Sequence, residues 1–317
     1  MSHEGETGSA YATRGDGKKV AYEVSGASDG FPVFLMHGTP GSRRGPKPRG
    51  IVLYRHGVKL ITYDRPGYGD SDRREGRNVA DAAADVLAVA DELGLQRFAV
   101  AGRSGGGPHA LACAADPAVR SRVTRVAVLV SFAPSGVPEL EWFEGMNADN
   151  VRSFGREAVD TAAVVEEIAH RAALTQRDPR YLMQHLMAQM TAEDRQVVSQ
   201  FGLRRTIVDT YRHALRNGPY GWIDDTLALR QGWKFELGSI DTALTPVRIW
   251  HGANDTFAPV GHAYWLAGQI PGATIAVQPG AAHFDAMEEL PRILPWLAGG
   301  REPTSHGALT GAYPGRQ

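Results

Sequence analysis

Three residues in one order are of types that could do chemistry together: a serine at 104, an aspartate at 255 and a histidine at 283. Ser104 lies in "VAGRSGGGPHA" (100–110), where an apolar run meets a serine boxed by glycines. Glycine loses more backbone freedom on folding than any other residue, so the cluster implies a tight turn or a backbone approach that a Cβ would block. "GRSGG" has the G-x-S-x-G pattern, with "RFAVA" before it as a strand and "GGPHALACAA" after it as a helix. A serine on a sharp strand-to-helix turn projects its Oγ above the sheet, and small residues at 102 and 106 relieve the crowding. The helix N-terminus would supply free N–H groups where an oxyanion forms. Such turns also cradle phosphates, but "GRSGGGPH" has neither the G-x-G-x-x-G spacing nor the P-loop lysine.

A serine hydroxyl is too weakly acidic to attack at neutral pH unaided, so it needs a base and a carboxylate to orient that base. "HGANDTFAP" follows the apolar strand "PVRIW", which puts Asp255 just past a strand's C-terminal end. "QPGAAHFDAMEEL" follows the next strand and puts His283 in a small-residue loop before a helix. Catalytic groups gather at that edge of a parallel sheet. Alone, each has a plainer reading, as a turn aspartate or a loop histidine. Together, each after its own strand, they read as acid and base. His37 and His251, each followed by glycine, read as loop braces, and His109, on the helix leading away from Ser104, reads as structural. No HExxH motif or Cys/His cluster occurs, so neither a metal nor a cofactor is expected.

These side chains need a scaffold. "PVFLMHG", "VKLITYD", "RFAVAGRS", "RVAVLVSFAP", "PVRIWHG" and "ATIAVQP" are short, almost continuous apolar runs, as in strands buried on both faces. "SAYATRGDGKKVAYEVSG" reads as a β-hairpin preceding them. "NVADAAADVLAVADELGL" reads as a helix with Asn78 as N-cap and Gly94 as its stop. The alternation predicts an α/β fold. Residues 136–240 contain no good strand but several helices, including "AAVVEEIAHRAAL" and "PRYLMQHLMAQM", and read as a helical insertion. It divides a core of residues 10–135 and 241–300, flanked by tails at 1–9 and 301–317 that lack any hydrophobic period. In the insertion, Met183, Met187 and Met190, like Trp142, Phe143 and Met146 near its start, read first as its core. Trp222 has the pocket as a second reading.

Composition narrows the partners. The 317 residues carry a formal charge of -1, which offers no electrostatic case for nucleic acid or anionic membranes. Cys113 is the single cysteine, so no intramolecular disulfide forms and a reducing compartment is expected. The first residues lack the pattern of a secretory signal, and no apolar run approaches membrane-spanning length. A soluble cytoplasmic protein with a small-molecule substrate is the expectation, with its oligomeric state open.

With "MHGTPGSR" (36–43) and "DRPGYGDSD" (64–72) added, the chain resembles the α/β-hydrolase superfamily, in its serine-nucleophile branch with a helical lid inserted after strand six. The resemblance covers roughly residues 18–135 and 240–300. It implies a mostly parallel sheet flanked by helices, and a triad in the order Ser104, Asp255, His283. It also implies an oxyanion hole formed by the N–H groups of Thr39, after the His-Gly pair, and Gly105, after the nucleophile. The implied reaction is cleavage of a small to medium apolar carboxylic ester, lactone or thioester through an acyl-enzyme. A serine at 104 speaks against epoxide hydrolases and haloalkane dehalogenases, which need a carboxylate there. Other readings are a proline iminopeptidase with Glu139, Glu141 and Glu144 binding the substrate amine, a C–C bond hydrolase, a perhydrolase, or a triad-bearing small-molecule receptor.

Overall fold

The structure is a computed structural model that describes residues 10–155 and 160–300; the expected tails at 1–9 and 301–317 lie outside these residues. Eight strands form one sheet: β1 (Ala10–Thr13), β2 (Lys19–Gly26), β3 (Phe31–Met36), β4 (Val58–Tyr63), β5 (Phe98–Arg103), β6 (Val123–Leu129), β7 (Val247–Gly252) and β8 (Thr274–Gln278). Their order is β1-β2-β4-β3-β5-β6-β7-β8. From β4 and β3 onward every pairing is parallel. The hairpin of β1 and β2 joins antiparallel through β2 to β4.

The apolar runs are nearly unbroken because both faces of the sheet are covered. In β5, Phe98 and Val100 face one layer while Ala99 and Ala101 face the other, the two-residue period of a strand. The helices are α1 (Gly50–Arg55), α2 (Ala82–Glu92), α3 (Gly106–Ala115), α4 (Ala148–Phe154), α5 (Thr161–Arg177), α6 (Tyr181–Gln189), α7 (Ala192–Val198), α8 (Phe201–Ala214), α9 (Tyr220–Leu229), α10 (Gly261–Gln269) and α11 (Ala286–Leu297). Leu53 of α1 and Leu290, Ile293 and Leu294 of α11 bury against one face. Val86 and Val89 of α2, with Leu111 of α3 and Leu266 of α10, bury against the other. Asn78 does cap a helix start, a 3-10 turn over Val79–Asp81 that runs into α2.

Six helices, α4 to α9, fill the chain between β6 and β7, with no strand among the described residues there. They have a core of their own. Val164, Ile168 and Ala172 make one stripe of α5, at the spacing that puts residues on one helix face. They join a buried cluster containing Met183, Met190, Ile207 and Trp222. That cluster also takes in Phe257 and Phe284, from the loops that follow β7 and β8. Full burial of each large aliphatic or aromatic side chain is worth about 1.5–3 kcal/mol, so the insertion is fastened to the loops that carry Asp255 and His283. No helix among the described residues is long and apolar enough to cross a membrane.

Candidate active site

Ser104 lies between β5 and α3 with φ of 53°, a left-handed conformation that non-glycine residues seldom adopt. The turn is braced on both sides of its peptide. The Ser104 N–H donates to the Leu129 carbonyl at 2.9 Å, and Ser131 Oγ donates to the Ser104 carbonyl at 2.8 Å. A Cβ at Gly102 would collide with the Gly106 backbone, and one at Gly106 would collide with the Met36 carbonyl. The glycines therefore let strand, turn and helix pack at backbone distance, and the serine is held in a strained, half-buried position by its neighbours.

The other two candidates meet each other. His283 Nδ1 lies 2.8 Å from Asp255 Oδ2, and both residues are buried. The second oxygen, Oδ1, accepts the N–H groups of Phe257 at 2.8 Å and Ala258 at 2.9 Å, so the loop after β7 fixes the carboxylate. Burial alone would raise the Asp255 carboxyl, but His283 and His251 beside it hold it well below the usual carboxylate range. Ser104 and His283 line one cavity of about 140 Å³, together with Gly38, Thr39, Phe257 and Phe284. Trp222 is on its wall, whereas Trp142 packs against Phe132, Phe154 and His262, and Met183 and Met190 are in the insertion's core.

Thr39 and Gly105 are adjacent: a Cβ on Gly105 would strike the Thr39 hydroxyl. Among the described residues, neither backbone N–H donates to another protein group. His37 behaves as a brace. Its Nδ1 bonds the Gly38 carbonyl at 2.8 Å and its Nε2 accepts the Arg65 N–H at 3.2 Å. His109 Nδ1 bonds the Gly105 carbonyl at 2.7 Å, and His251 Nε2 bonds the Ala258 carbonyl at 2.6 Å.

Behind the Thr39 turn lies a buried charge network that the sequence did not reveal. Asp225, on α9, accepts from the Thr39 hydroxyl at 2.7 Å, from Tyr68 at 3.0 Å and from the guanidinium groups of Arg65 and Arg77. Arg65 also donates to the carbonyls of His37 and Gly38. Burial would raise the Asp225 carboxyl, yet the two arginines hold it well below the ordinary range. A second network, of Arg43, Asp64, Asp70 and His213, lies nearby. Asp64, Asp70 and His213 could offer three ligand atoms within 4.8 Å of one another. The Arg43 guanidinium already lies among them, 2.6 Å from Asp70 Oδ2 and 2.8 Å from His213 Nε2. A divalent cation there would face a fixed positive charge, so the cluster is better suited to structure than to metal binding.

α7 brings Asp194 close to His283. Asp194 Oδ1 accepts the Phe284 N–H at 2.7 Å, and burial pushes its carboxyl up to about 6 despite the nearby His283. Neither Asp194 nor Asp225 has a local sequence signal, because each finds its partners far away in the chain.

The sheet order, the strand–turn–helix at residue 104 and the helices inserted before β7 define an α/β hydrolase. The α/β-hydrolase fold family model matches residues 32–290, and the chain belongs to that family. Among curated relatives, a non-heme chloroperoxidase of Streptomyces lividans is 36% identical over 123 residues, 38% of this chain and 44% of that protein. A bifunctional esterase/perhydrolase of Acinetobacter calcoaceticus is 29% identical over 138 residues, 41% of this chain and 50% of that one. The chain thus spans about half the length of the curated relatives it matches. The crystal structure of an enol-lactonase from Burkholderia xenovorans is similar with a TM-score of 0.65 at 20% identity, covering 92% of this chain and 98% of that one.

Proposed function

We propose that the protein is a serine hydrolase that cleaves a carboxylic ester with a small to medium acyl group through an acyl-enzyme on Ser104. The observation that carries this reading is the 2.8 Å contact of His283 with Asp255 on the cavity that Ser104 also lines. With Nδ1 committed to Asp255, the other ring nitrogen is left to take the Ser104 proton. Oγ then attacks the ester carbonyl, and the oxyanion is received by the N–H groups of Thr39 and Gly105. His283 returns the proton to the departing alcohol, water attacks the acyl-enzyme by the reverse sequence, and the acid leaves. An engineered cavity of about 150 Å³ accommodates benzene, so the volume here favours a compact acyl group over a long chain. The inserted helices would act as a lid that excludes water and shapes the pocket.

Glu139, Glu141 and Glu144 are exposed and do not line the cavity, which counts against an amine-binding role in an iminopeptidase. Transfer of the acyl group to hydrogen peroxide instead of water is a second reading, favoured by the relative named as an esterase/perhydrolase. A fluorophosphonate should label Ser104 stoichiometrically, and Ser104→Ala should abolish both labelling and turnover of short-chain esters. Labelling that survives the substitution removes the proposal. Single turnover with tight product retention would favour a receptor instead.

A further inference from the structure

Five arginines close to the site are buried or lie on its wall, and four have carboxylate partners: Arg43 with Asp64 and Asp70, Arg65 and Arg77 with Asp225, and Arg171 with Asp149 and Glu167. The exception is Arg103, the first of the two variable residues of G-x-S-x-G. Its guanidinium makes no hydrogen bond or ion pair among the described residues, and Arg103 lines the same cavity as Ser104 and His283. On the cavity wall it is half-buried, and desolvation there without a counter-ion lowers it to about 10; Tyr211 of α8 is the one titratable neighbour acting on its charge. Its position is also informative. The point where a Cβ on Gly38 would sit is 3.4 Å from Ser104 Cβ and 3.8 Å from Arg103 Nη2. One spot on the oxyanion turn therefore touches both the nucleophile's side chain and the unpaired cation.

Arg103 is half-buried, and drawing an arginine even partly out of water without a partner has a cost that no group of this protein's own packing offsets. A planar guanidinium with free donors matches a carboxylate, which it can grip with two parallel hydrogen bonds. The acyl carbon becomes bonded to Ser104, and its oxyanion rests against the Gly38–Thr39 turn, so the part of the substrate nearest Arg103 is the acyl part. From this geometry we propose that Arg103 is a specificity residue and that the acyl group of the substrate carries a free carboxylate, as in a monoester of a short dicarboxylic acid. This inference rests on the ester-hydrolase reading and names its substrate class.

The test uses monomethyl glutarate and the neutral methyl valerate. Binding is measured by calorimetry on the full-length Ser104→Ala protein, and hydrolysis by pH-stat on the wild type. The expected result is tighter binding of the anionic ester by roughly 10- to 100-fold, the range of a charge-assisted bidentate contact. That ratio should collapse toward one when Arg103→Met is added to Ser104→Ala, and be partly kept with Arg103→Lys. Equal binding of both esters to Ser104→Ala overturns the proposal without need of any Arg103 variant. A preference that persists in a folded Arg103→Met protein also overturns it. Arg103-dependent binding with neither ester hydrolysed by the wild type would leave the anion site standing and remove the esterase reading instead.

Discussion

The carboxylate of Asp225 on α9 and the hydroxyl of Thr39 after β3 are joined by a 2.7 Å hydrogen bond across 186 positions of the chain. The same carboxylate holds Arg65, which grips the carbonyls of His37 and Gly38. The turn that presents the Thr39 N–H is therefore held in place by an acid from the inserted helices.

Asp225→Ala should be among the most destabilising substitutions in the protein. It leaves Arg65 and Arg77 buried without their acid, and breaking one side of such a pair costs about 3–5 kcal/mol. Urea unfolding would show this as a lower midpoint. With the Thr39 turn released, Asp225→Ala should also lower kcat, and Asp225→Asn, which keeps an acceptor for Thr39, should restore kcat more than it restores stability. A variant of wild-type stability would show that the network is not fully desolvated.

Asp255→Asn should lower kcat on the order of 10⁴-fold, the usual result of fixing the wrong histidine tautomer, with a smaller change in KM. Adding Asn254→Asp should not rescue it. Asn254 Nδ2 bonds Glu193 at 3.0 Å, so that side chain leaves the turn away from His283. Steady-state kinetics on a short-chain ester tests both, and a near-wild-type Asp255→Asn enzyme would mean that another acid orients His283.

His262 is buried and neutral, lowered to about 3 chiefly by burial and then by His251. Its ring accepts the Ala133 N–H at 3.1 Å and reaches the Trp142 carbonyl at 3.0 Å. A histidine depressed in the folded state binds its proton first in the unfolded chain. Its contribution to stability is complete above the unfolded value near 6.5 and is lost as pH falls toward 3. Within that window His262→Gln should lose about 1.4 kcal/mol less per pH unit than the wild type. Chemical denaturation at pH 6.5, 5.5 and 4.5 measures the difference, and parallel profiles would refute it.

Asp194 works in the opposite direction. Its folded carboxyl is raised to about 6, so its contribution is complete below the unfolded value near 4 and is lost as pH rises through 6. Its Oδ2 has no partner among the described residues, while Oδ1 holds Phe284. Asp194→Asn keeps an acceptor for the Phe284 N–H and removes the ionisation. It should match the wild type at pH 4 and be more stable at pH 8, on the order of 1–3 kcal/mol. Thermal melts at the two pH values test this, and an equal offset at both would show that Asp194 is not raised.

The strands were legible because burial on both faces makes them nearly continuous apolar runs, and β3 to β8 each coincide with one. The pairing of Asp255 with His283 was legible because each follows a strand at the sheet edge where functional groups collect. Asp225 was not, since "GWIDDTLAL" looks like any helix with a solvated acidic face, and its partners lie about 150 positions away. Arg103 was in view but uninformative, because the second position of G-x-S-x-G accepts many residues and only the packed structure shows it without a counter-ion. The apolar ester that the resemblance implies calls for an apolar pocket. The cavity wall does include Leu182, Leu186 and Ile207, but it also carries Arg103, Asp149 and His185.

Because α9 carries the acid that neutralises Arg65 and Arg77, the inserted helices are not an exchangeable cassette. A chimera that kept this sheet but took its insertion from a protein lacking an acid at that place would leave two guanidinium groups buried with no anion. Recombination at the β6 and β7 junctions would succeed only where the acid travels with the two arginines, or where all three are replaced together. Insertion and scaffold would then have to be exchanged as one piece, with Asp225 kept wherever Arg65 and Arg77 are kept.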